Sequence, residues 1–126
     1  MQITANGVSF HYRIEGTEGK PWLMFSNSHC TTLELWDEMV ERFKGRFRIL
    51  RYDTRGHGGT SAPAGDYTQA QLAADVVALL DALHIERVHF CGISIGGQTG
   101  LGLAIHHSQR LHSLIAANAR FDVPAP

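Results

Sequence analysis

The sequence predicts an α/β fold in which a mostly parallel sheet carries helices on its faces. Apolar residues alternate with polar ones in some segments and recur every three to four residues in others, which indicates strands and helices in succession. Glycines and other turn-forming residues separate these segments. Several of the predicted strands are almost continuously apolar, as expected for strands that are buried on both faces.

The first half of the chain holds two predicted strands and a helix. Residues 8–16 alternate apolar and polar side chains, which predicts a half-exposed strand, whereas residues 22–27 predict a buried one. Apolar side chains then recur at helical spacing over residues 35–43, and the helix closes near a glycine. Thr31 or Thr32 is a candidate N-cap for this helix.

The second half continues the alternation. Residues 47–53 predict a strand that runs into a polar, glycine-rich loop, and a strong helical pattern follows over about residues 68–83. Residues 87–92 predict a short buried strand, residues 95–107 a glycine-rich helix, and residues 110–119 a last strand. Functional groups gather at the carboxyl ends of the strands in such a sheet, so the loops that follow the strands are the candidate site.

The length and composition of the chain limit the classes of protein to which it can belong. The 126 residues suffice for one core, and we expect residues 1–126 to belong to a single domain. The chain is 44% hydrophobic and 18% charged with a formal net charge of −1, which favours a folded protein with no nucleic-acid partner. We find no targeting segment and no apolar run near the roughly 18 residues of a membrane helix. The expectation is a cytoplasmic protein without a membrane partner.

Ser94 is the principal candidate for chemistry. It lies in a G-x-S-x-G sequence at residues 92–96, where a predicted strand passes into a predicted helix. This context is typical of a nucleophile elbow, in which a sharp turn presents the serine hydroxyl and glycines let strand and helix approach closely. The amide of Ile95 is then a natural oxyanion donor. The alternative is a purely structural turn; a dinucleotide-binding loop fits less well, since its fingerprint requires glycine where Ser94 stands.

Two further loops follow neighbouring strands. The loop after residues 22–27 can offer a second oxyanion amide, from Ser28 or His29, unless it is an ordinary polar turn. In the loop after residues 47–53, Asp53 and Arg55 could form a local ion pair. The favoured interpretation of His57 in that loop is a hydrogen bond to the backbone.

No metal or cofactor is expected from the motifs. Cys30 and Cys91 are not in a metal-ligand spacing and do not form a disulfide framework, so both are interpreted as small buried hydrophobes. His106 and His107 are adjacent on a predicted helix and therefore point in different directions, which disfavours a paired metal site.

Four segments together resemble the amino-terminal half of an α/β-hydrolase, and within that superfamily most closely the 3-oxoadipate enol-lactonases. They are residues 23–37, 47–63, 79–97 and 110–119. The resemblance implies that Ser94 is the nucleophile, that the oxyanion amides belong to Ile95 and Ser28, and that an enol-lactone is hydrolysed without metal or organic cofactor. The substrate is thus expected to be a small ester or lactone.

The sequence differs from the usual pattern of the resembled family at three positions. His29 and Cys30 stand where the family usually has Leu-Gly, and Ser108 stands where it usually has proline. An imidazole at His29 is an alternative base for Ser94.

In the resembled family the catalytic acid and histidine follow the nucleophile in chain order, so we expect both partners of Ser94 beyond residue 126. Three readings stay open: a partial lactonase, another carboxylesterase or acyl hydrolase, and a non-catalytic remnant or interaction module. If the last strand is an uncovered edge, Leu114 and Ile115 would lack cover and favour self-association.

Overall fold

The computed structural model describes residues 1–65 and 67–120, which form one mixed sheet with helices on its faces. The elements are β1 (Gln2–Ala5), β2 (Val8–Gly16), β3 (Trp22–Ser26), a 3₁₀ turn (Leu33–Trp36), α1 (Asp37–Phe43), β4 (Arg48–Tyr52), α2 (Gln69–Ala82), β5 (Val88–Ile93), α3 (Ile95–His106), a second 3₁₀ turn (Ser108–Arg110) and β6 (Leu111–Ala117).

The sheet has the strand order β1-β2-β4-β3-β5-β6. The first two pairings, β1 with β2 and β2 with β4, are antiparallel, and the pairings among β4, β3, β5 and β6 are parallel. This confirms the predicted α/β class with a mostly parallel sheet. The short strand β1 was not predicted, because its four residues are too few to show an alternating pattern.

The sheet separates two apolar clusters. Successive side chains of a strand point to opposite faces, so Met24 and Phe25 of β3 enter different clusters. The larger cluster packs the buried face of α2 against β2, β4 and β5, and the smaller one packs α1 and Trp36 against the other face. This two-sided burial explains why β3 is almost continuously apolar in sequence.

The two helical segments begin differently. Thr68 caps α2, since its hydroxyl accepts a hydrogen bond from the amide of Gln71 at 3.1 Å. Thr32, one of the two predicted candidates, stands at the N-cap position of the first helical segment, but its side chain makes no capping hydrogen bond. Thr31 donates its hydroxyl proton to the carbonyl of Ser28, and the amide of Leu33 donates to the carboxylate of Asp53 at 2.7 Å.

Strand β6 lies at one edge of the sheet. Of the two residues expected to lack cover, Ile115 is 61% exposed, in agreement with the expectation. Leu114 is half-buried and packs against the larger apolar cluster beside Gly100, so for Leu114 the expectation is wrong. Alternate residues of a strand face opposite sides, and α3 covers the side to which Leu114 points.

Candidate active site

Ser94 occupies the turn between β5 and α3, with backbone angles φ 56° and ψ −115°. A positive φ is unusual for a residue with a side chain. It costs about 1–3 kcal/mol of conformational free energy, which contacts in the surrounding structure must offset. The side chain is exposed, and the amide of Ser94 donates to the carbonyl oxygen of Ala117 at 2.9 Å. The predicted strained strand-to-helix turn at Ser94 is confirmed.

Two glycines allow this turn because backbone atoms occupy the space that a side chain would need. A Cβ on Gly92 would overlap the carbonyl of Gly96, and a Cβ on Gly96 would overlap the carbonyls of Ser26 and Asn27. The G-x-S-x-G spacing is therefore a packing requirement of this chain. It brings the first turn of α3 against the end of β3.

The two candidate oxyanion amides lie at the same edge of the sheet. Ser26 pairs with Gly92 across the parallel strands, so the loop at Ser28 follows β3 beside the elbow. Ile95 is the first residue of α3, and amides in the first turn of a helix have no intrahelical partner. Within residues 1–65 and 67–120, neither amide donates to another protein group. Both amides therefore lack a protein acceptor in this part of the chain.

Buried polar contacts hold the loop after β3. The side-chain amide of Asn27 donates to the carbonyl of Tyr52 at 3.0 Å and accepts from the indole of Trp36 at 2.9 Å. The carbonyl and the hydroxyl of Ser28, the next residue, both contact the hydroxyl of Thr31. Since Asn27 is fully buried, its two hydrogen bonds satisfy its side-chain amide and hold the start of this loop against β4 and Trp36.

The Tyr52 hydroxyl joins the ends of β4 and β3. It forms a 2.8 Å hydrogen bond with the hydroxyl of Ser26, directly before the oxyanion loop. Burial raises the pKa of Tyr52, so this phenol keeps its proton across the physiological range. Tyr52 is consequently a neutral positioning group at this edge.

The loop after β4 is fixed differently from the prediction. Arg55 does not pair locally with Asp53; it forms a bidentate pair with Asp75 of α2, at 2.6 and 2.7 Å, with both side chains buried. This hydrogen bonding raises the pKa of the Arg55 guanidinium. The carboxylate of Asp53 instead accepts from the backbone amides of Leu33 and Gly59. Asp53 thus links two loops through their backbone amides. Arg55 pairs with Asp75 on α2 instead.

His57 and His29 lie together on the outer side of these loops. The Nδ1 atom of His57 is 3.0 Å from the carbonyl oxygen of Arg55, which confirms the backbone hydrogen bond expected for this residue. The ring of His29 lies edge-on to that of His57, with centroids 5.2 Å apart. Both line a cavity of about 450 Å³ with Cys30, whose exposed thiol departs from the buried cysteine expected there.

A separate open cavity of about 240 Å³ lies at Ser94. It is lined by Ser94, Ile95, Gln98, Asn118, Ala119 and Arg120. The structure therefore brings Ser94 and Ile95 together, places Ser28 on the adjoining loop, and sets His29 against His57 in the other cavity. The role of His29 as an alternative base stays a prediction. Sequence reasoning missed Gln98 and Arg120, because no motif marks either residue.

Neither a metal centre nor a membrane span is found among residues 1–65 and 67–120. No three His, Cys, Asp or Glu side chains in these residues are grouped so as to hold a metal ion. No helix in the same residues is long and apolar enough to cross a membrane.

Comparison with known proteins identifies the family. A model described as the alpha/beta hydrolase fold matches residues 21–126. The chain therefore belongs to the α/β-hydrolase family, as the resemblance of its motifs implied.

Individual relatives are similar over nearly the whole chain. It is 46% identical over 116 residues to 3-oxoadipate enol-lactonase 2 of Acinetobacter baylyi, which covers 92% of this chain and 43% of that protein. The crystal structure of the enol-lactonase from Burkholderia xenovorans LB400 matches with a TM-score of 0.92 and 45% identity, over 94% of this chain and 46% of that one. A hydrolase structure from Pseudomonas aeruginosa PA01 matches with 48% identity and a TM-score of 0.90, over 94% of this chain and 45% of that one. The chain spans less than half the length of these relatives.

Proposed function

We propose that the chain supplies the nucleophilic half of a serine hydrolase that opens an enol-lactone. The observation that carries the proposal is the strained elbow at Ser94, between β5 and α3, in a chain 46% identical to a 3-oxoadipate enol-lactonase. Strain at an exposed serine is typical of a functional site, because a structural turn could use glycine at no conformational cost. The available amides at Ile95 and Ser28 support the same chemistry.

The proposed reaction is acyl transfer through Ser94. The hydroxyl oxygen attacks the lactone carbonyl carbon while a base takes the hydroxyl proton. The amides of Ile95 and Ser28 donate to the oxygen that becomes negative. Collapse breaks the ring C–O bond, and the leaving enol oxygen takes the proton from the base and tautomerises to a ketone. Water then cleaves the acyl-enzyme and yields the open oxo-diacid.

The base and its orienting acid are proposed to come from a carboxyl-terminal segment like that of the longer relatives. In α/β-hydrolases the three catalytic residues follow the chain order Ser, acid, His, so the partners of an elbow at Ser94 come later. The relatives extend well beyond the matched region, since less than half of each is covered. A cytoplasmic location and a small lactone or ester substrate belong to the same proposal.

A second candidate is hydrolysis of another ester or acyl group on the same elbow. The chain is also 39% identical over 84 residues to a putative carbamate hydrolase of a Caulobacter species, which covers 66% of this chain and 31% of that protein. A lactone is favoured, because a structure named as an N-acyl homoserine lactone degrading enzyme also matches, at 30% identity and a TM-score of 0.87, over 94% of this chain and 45% of that one.

Labelling and turnover test the proposal on the full product of the gene. A fluorophosphonate probe should label Ser94, Ser94→Ala should abolish both labelling and lactone opening, and Ser108→Ala, an exposed serine outside the site, should change neither. Labelling with turnover of simple esters but not of enol-lactone would favour the second candidate. A protein that the probe does not label would be a non-catalytic remnant.

A further inference from the structure

We propose that Gln98 is a positioning residue for Ser94: its side chain ties the segment after β6 to the elbow and so holds the nucleophile in place. The inference rests on the proposed function and adds a residue that acts through Ser94 rather than on the substrate. Its basis is a closed circuit of hydrogen bonds that runs from Ser94 to the end of β6 and returns through Gln98. Gln98 lies in the first turns of α3 and is half-buried.

The backbone of Ser94 is bound at both of its polar groups. Its amide donates to the carbonyl oxygen of Ala117 at 2.9 Å, and its carbonyl oxygen accepts from the amide of Gln98 at 2.9 Å. A residue with a side chain keeps a positive φ only where such contacts overdetermine its conformation. Ser94, at φ 56°, is therefore held between the end of β6 and the start of α3.

The side chain of Gln98 closes the circuit. Its amide nitrogen donates to the carbonyl oxygen of Arg120 at 2.6 Å. Asn118, which lies between Ala117 and Arg120, has a positive φ of 51°. One end of this short segment is thus bonded to Ser94 and the other end to Gln98. Removing the Gln98 amide releases the Arg120 end and leaves the acceptor for the amide of Ser94 less firmly held.

Helix α2 sets the orientation of the Gln98 side chain. Gln69, the first residue of α2, donates its amide nitrogen to the amide oxygen of Gln98 at 3.1 Å. A side-chain amide has one accepting end and one donating end, so this bond leaves the nitrogen of Gln98 for Arg120. The two helices are close at this point, because a Cβ on Gly102 of α3 would lie 3.1 Å from Cγ of Gln69. Helices α2 and α3 and the segment after β6 therefore meet at Gln98.

The segment after β6 packs tightly on α3. A Cβ on Gly97 would lie 2.7 Å from Cβ of Ala119 and 3.3 Å from the carbonyl oxygen of Ala117. The space between the segment and the helix is therefore too small for even a methyl group. Because the segment lies in direct contact with the start of α3, a shift at Arg120 is transmitted to Ala117 and hence to the amide of Ser94.

The kinetic test removes both polar ends of the Gln98 side chain in the full gene product. Methionine is flexible and similar in length. Gln98→Met should lower kcat for p-nitrophenyl butyrate about 10-fold and leave KM within about twofold, because a small shift of the nucleophile misaligns its attack. We count kcat per serine that a fluorophosphonate labels at completion, so unfolded protein does not contribute. A raised KM with unchanged kcat would indicate a substrate contact and overturn the inference, as would unchanged kinetics.

Two further variants complete the kinetic test. Gln2→Met is the control and should leave kcat unchanged, because Gln2 also donates its side-chain amide to a backbone carbonyl, that of Gly59 at 3.2 Å, but lies on β1 at the opposite edge of the sheet. Gln69→Met removes only the bond that orients Gln98. It should lower kcat about 3-fold alone and have no further effect in the Gln98→Met protein. Additive losses would overturn the proposed action through Gln98.

Hydrogen exchange measured by NMR separates this inference from the proposed function, because it requires no activity. The amide of Ser94 should exchange about 10-fold faster in Gln98→Met than in wild type or Gln2→Met, since its acceptor on Ala117 is less firmly held. Gln69→Met should act in the same direction and replaces Gln98→Met if that protein does not fold. Faster exchange in a protein without hydrolase activity would support the positioning role while the proposed function fails. Hydrolase activity with unchanged exchange at Ser94 would overturn the role of Gln98 alone.

Discussion

The amide of Ser94 donates a 2.9 Å hydrogen bond to the carbonyl oxygen of Ala117, so the elbow is joined to the last residue of β6. Ser94 and Asn118, on either side of this bond, both have left-handed backbone angles. A strained conformation persists only where neighbouring structure overdetermines it. The position of the candidate nucleophile therefore depends on β6 as well as on the local turn.

The first prediction concerns the close packing under the elbow. Gly96→Ala should lower the free energy of unfolding by about 1–3 kcal/mol, because the new methyl group overlaps the carbonyls of Ser26 and Asn27. Urea denaturation measures the change. Gly45→Ala is the matched control, since a Cβ on Gly45 meets no atom within 4 Å and its φ is not positive. Equal stability of the two variants would contradict the packing argument.

The elbow could be predicted from sequence because its determinants are local. The spacing of Gly92, Ser94 and Gly96 between an apolar run and a helical pattern already contains the steric requirement that the structure shows. The partner of Arg55 could not be predicted, because a carboxylate two residues away competes in sequence with Asp75, which lies 20 residues away on α2.

The contacts of the residues around Ser94 could not be predicted from the sequence either. The contact between Gln98 and Arg120 spans 22 residues and joins a side chain to a backbone oxygen, which imposes no pattern on residue types. The start of the first helical segment was predictable only in part for the same reason. Thr32 stands at its N-cap position, but the carboxylate that binds the amide of Leu33 belongs to Asp53, 20 residues away.

A second prediction follows from the buried pair of Arg55 and Asp75. Asp75→Asn should lower the free energy of unfolding by about 3 kcal/mol or more, because the buried arginine loses the carboxylate of its bidentate pair. Asp81→Asn is the control: it breaks the ion pair of Arg110 with a carboxylate that is 63% exposed, and should cost less than about 1 kcal/mol. Similar urea midpoints for the two variants would contradict the buried pair.

The two thiols are predicted to differ in reactivity. Burial raises the pKa of Cys91, so at a given pH its thiolate fraction, and hence its rate of reaction with a disulfide reagent, lies below that of an unperturbed thiol. Cys30 is exposed. At pH 8 we expect one fast and one slow phase, with the fast phase absent in Cys30→Ser and the slow phase accelerating as the pH rises. Two equal phases would be inconsistent with this burial.

The edge at β6 predicts self-association of the 126-residue chain. Ile115 is 61% exposed on this strand, and an unpaired edge with apolar side chains promotes pairing between chains. Ile115→Lys should shift the chain toward monomer in light scattering at high concentration. Ile105→Lys removes similar apolar surface from α3 and should have a smaller effect. A wild-type chain that stays monomeric throughout would refute the prediction.

The last prediction is that the 126-residue chain alone hydrolyses p-nitrophenyl acetate no faster than buffer. In serine hydrolases, removing the histidine base costs on the order of 10⁶ in turnover, and what remains comes from oxyanion stabilisation and binding. A local rescue would need His29 as base, yet its ring lies against His57 in the cavity away from Ser94. The assay compares wild type, Ser94→Ala and His29→Ala. Turnover that disappears in Ser94→Ala would refute the prediction, and its loss in His29→Ala as well would make His29 the base. If the wild type and both variants equal the buffer blank, the result would agree with a base supplied from outside these residues.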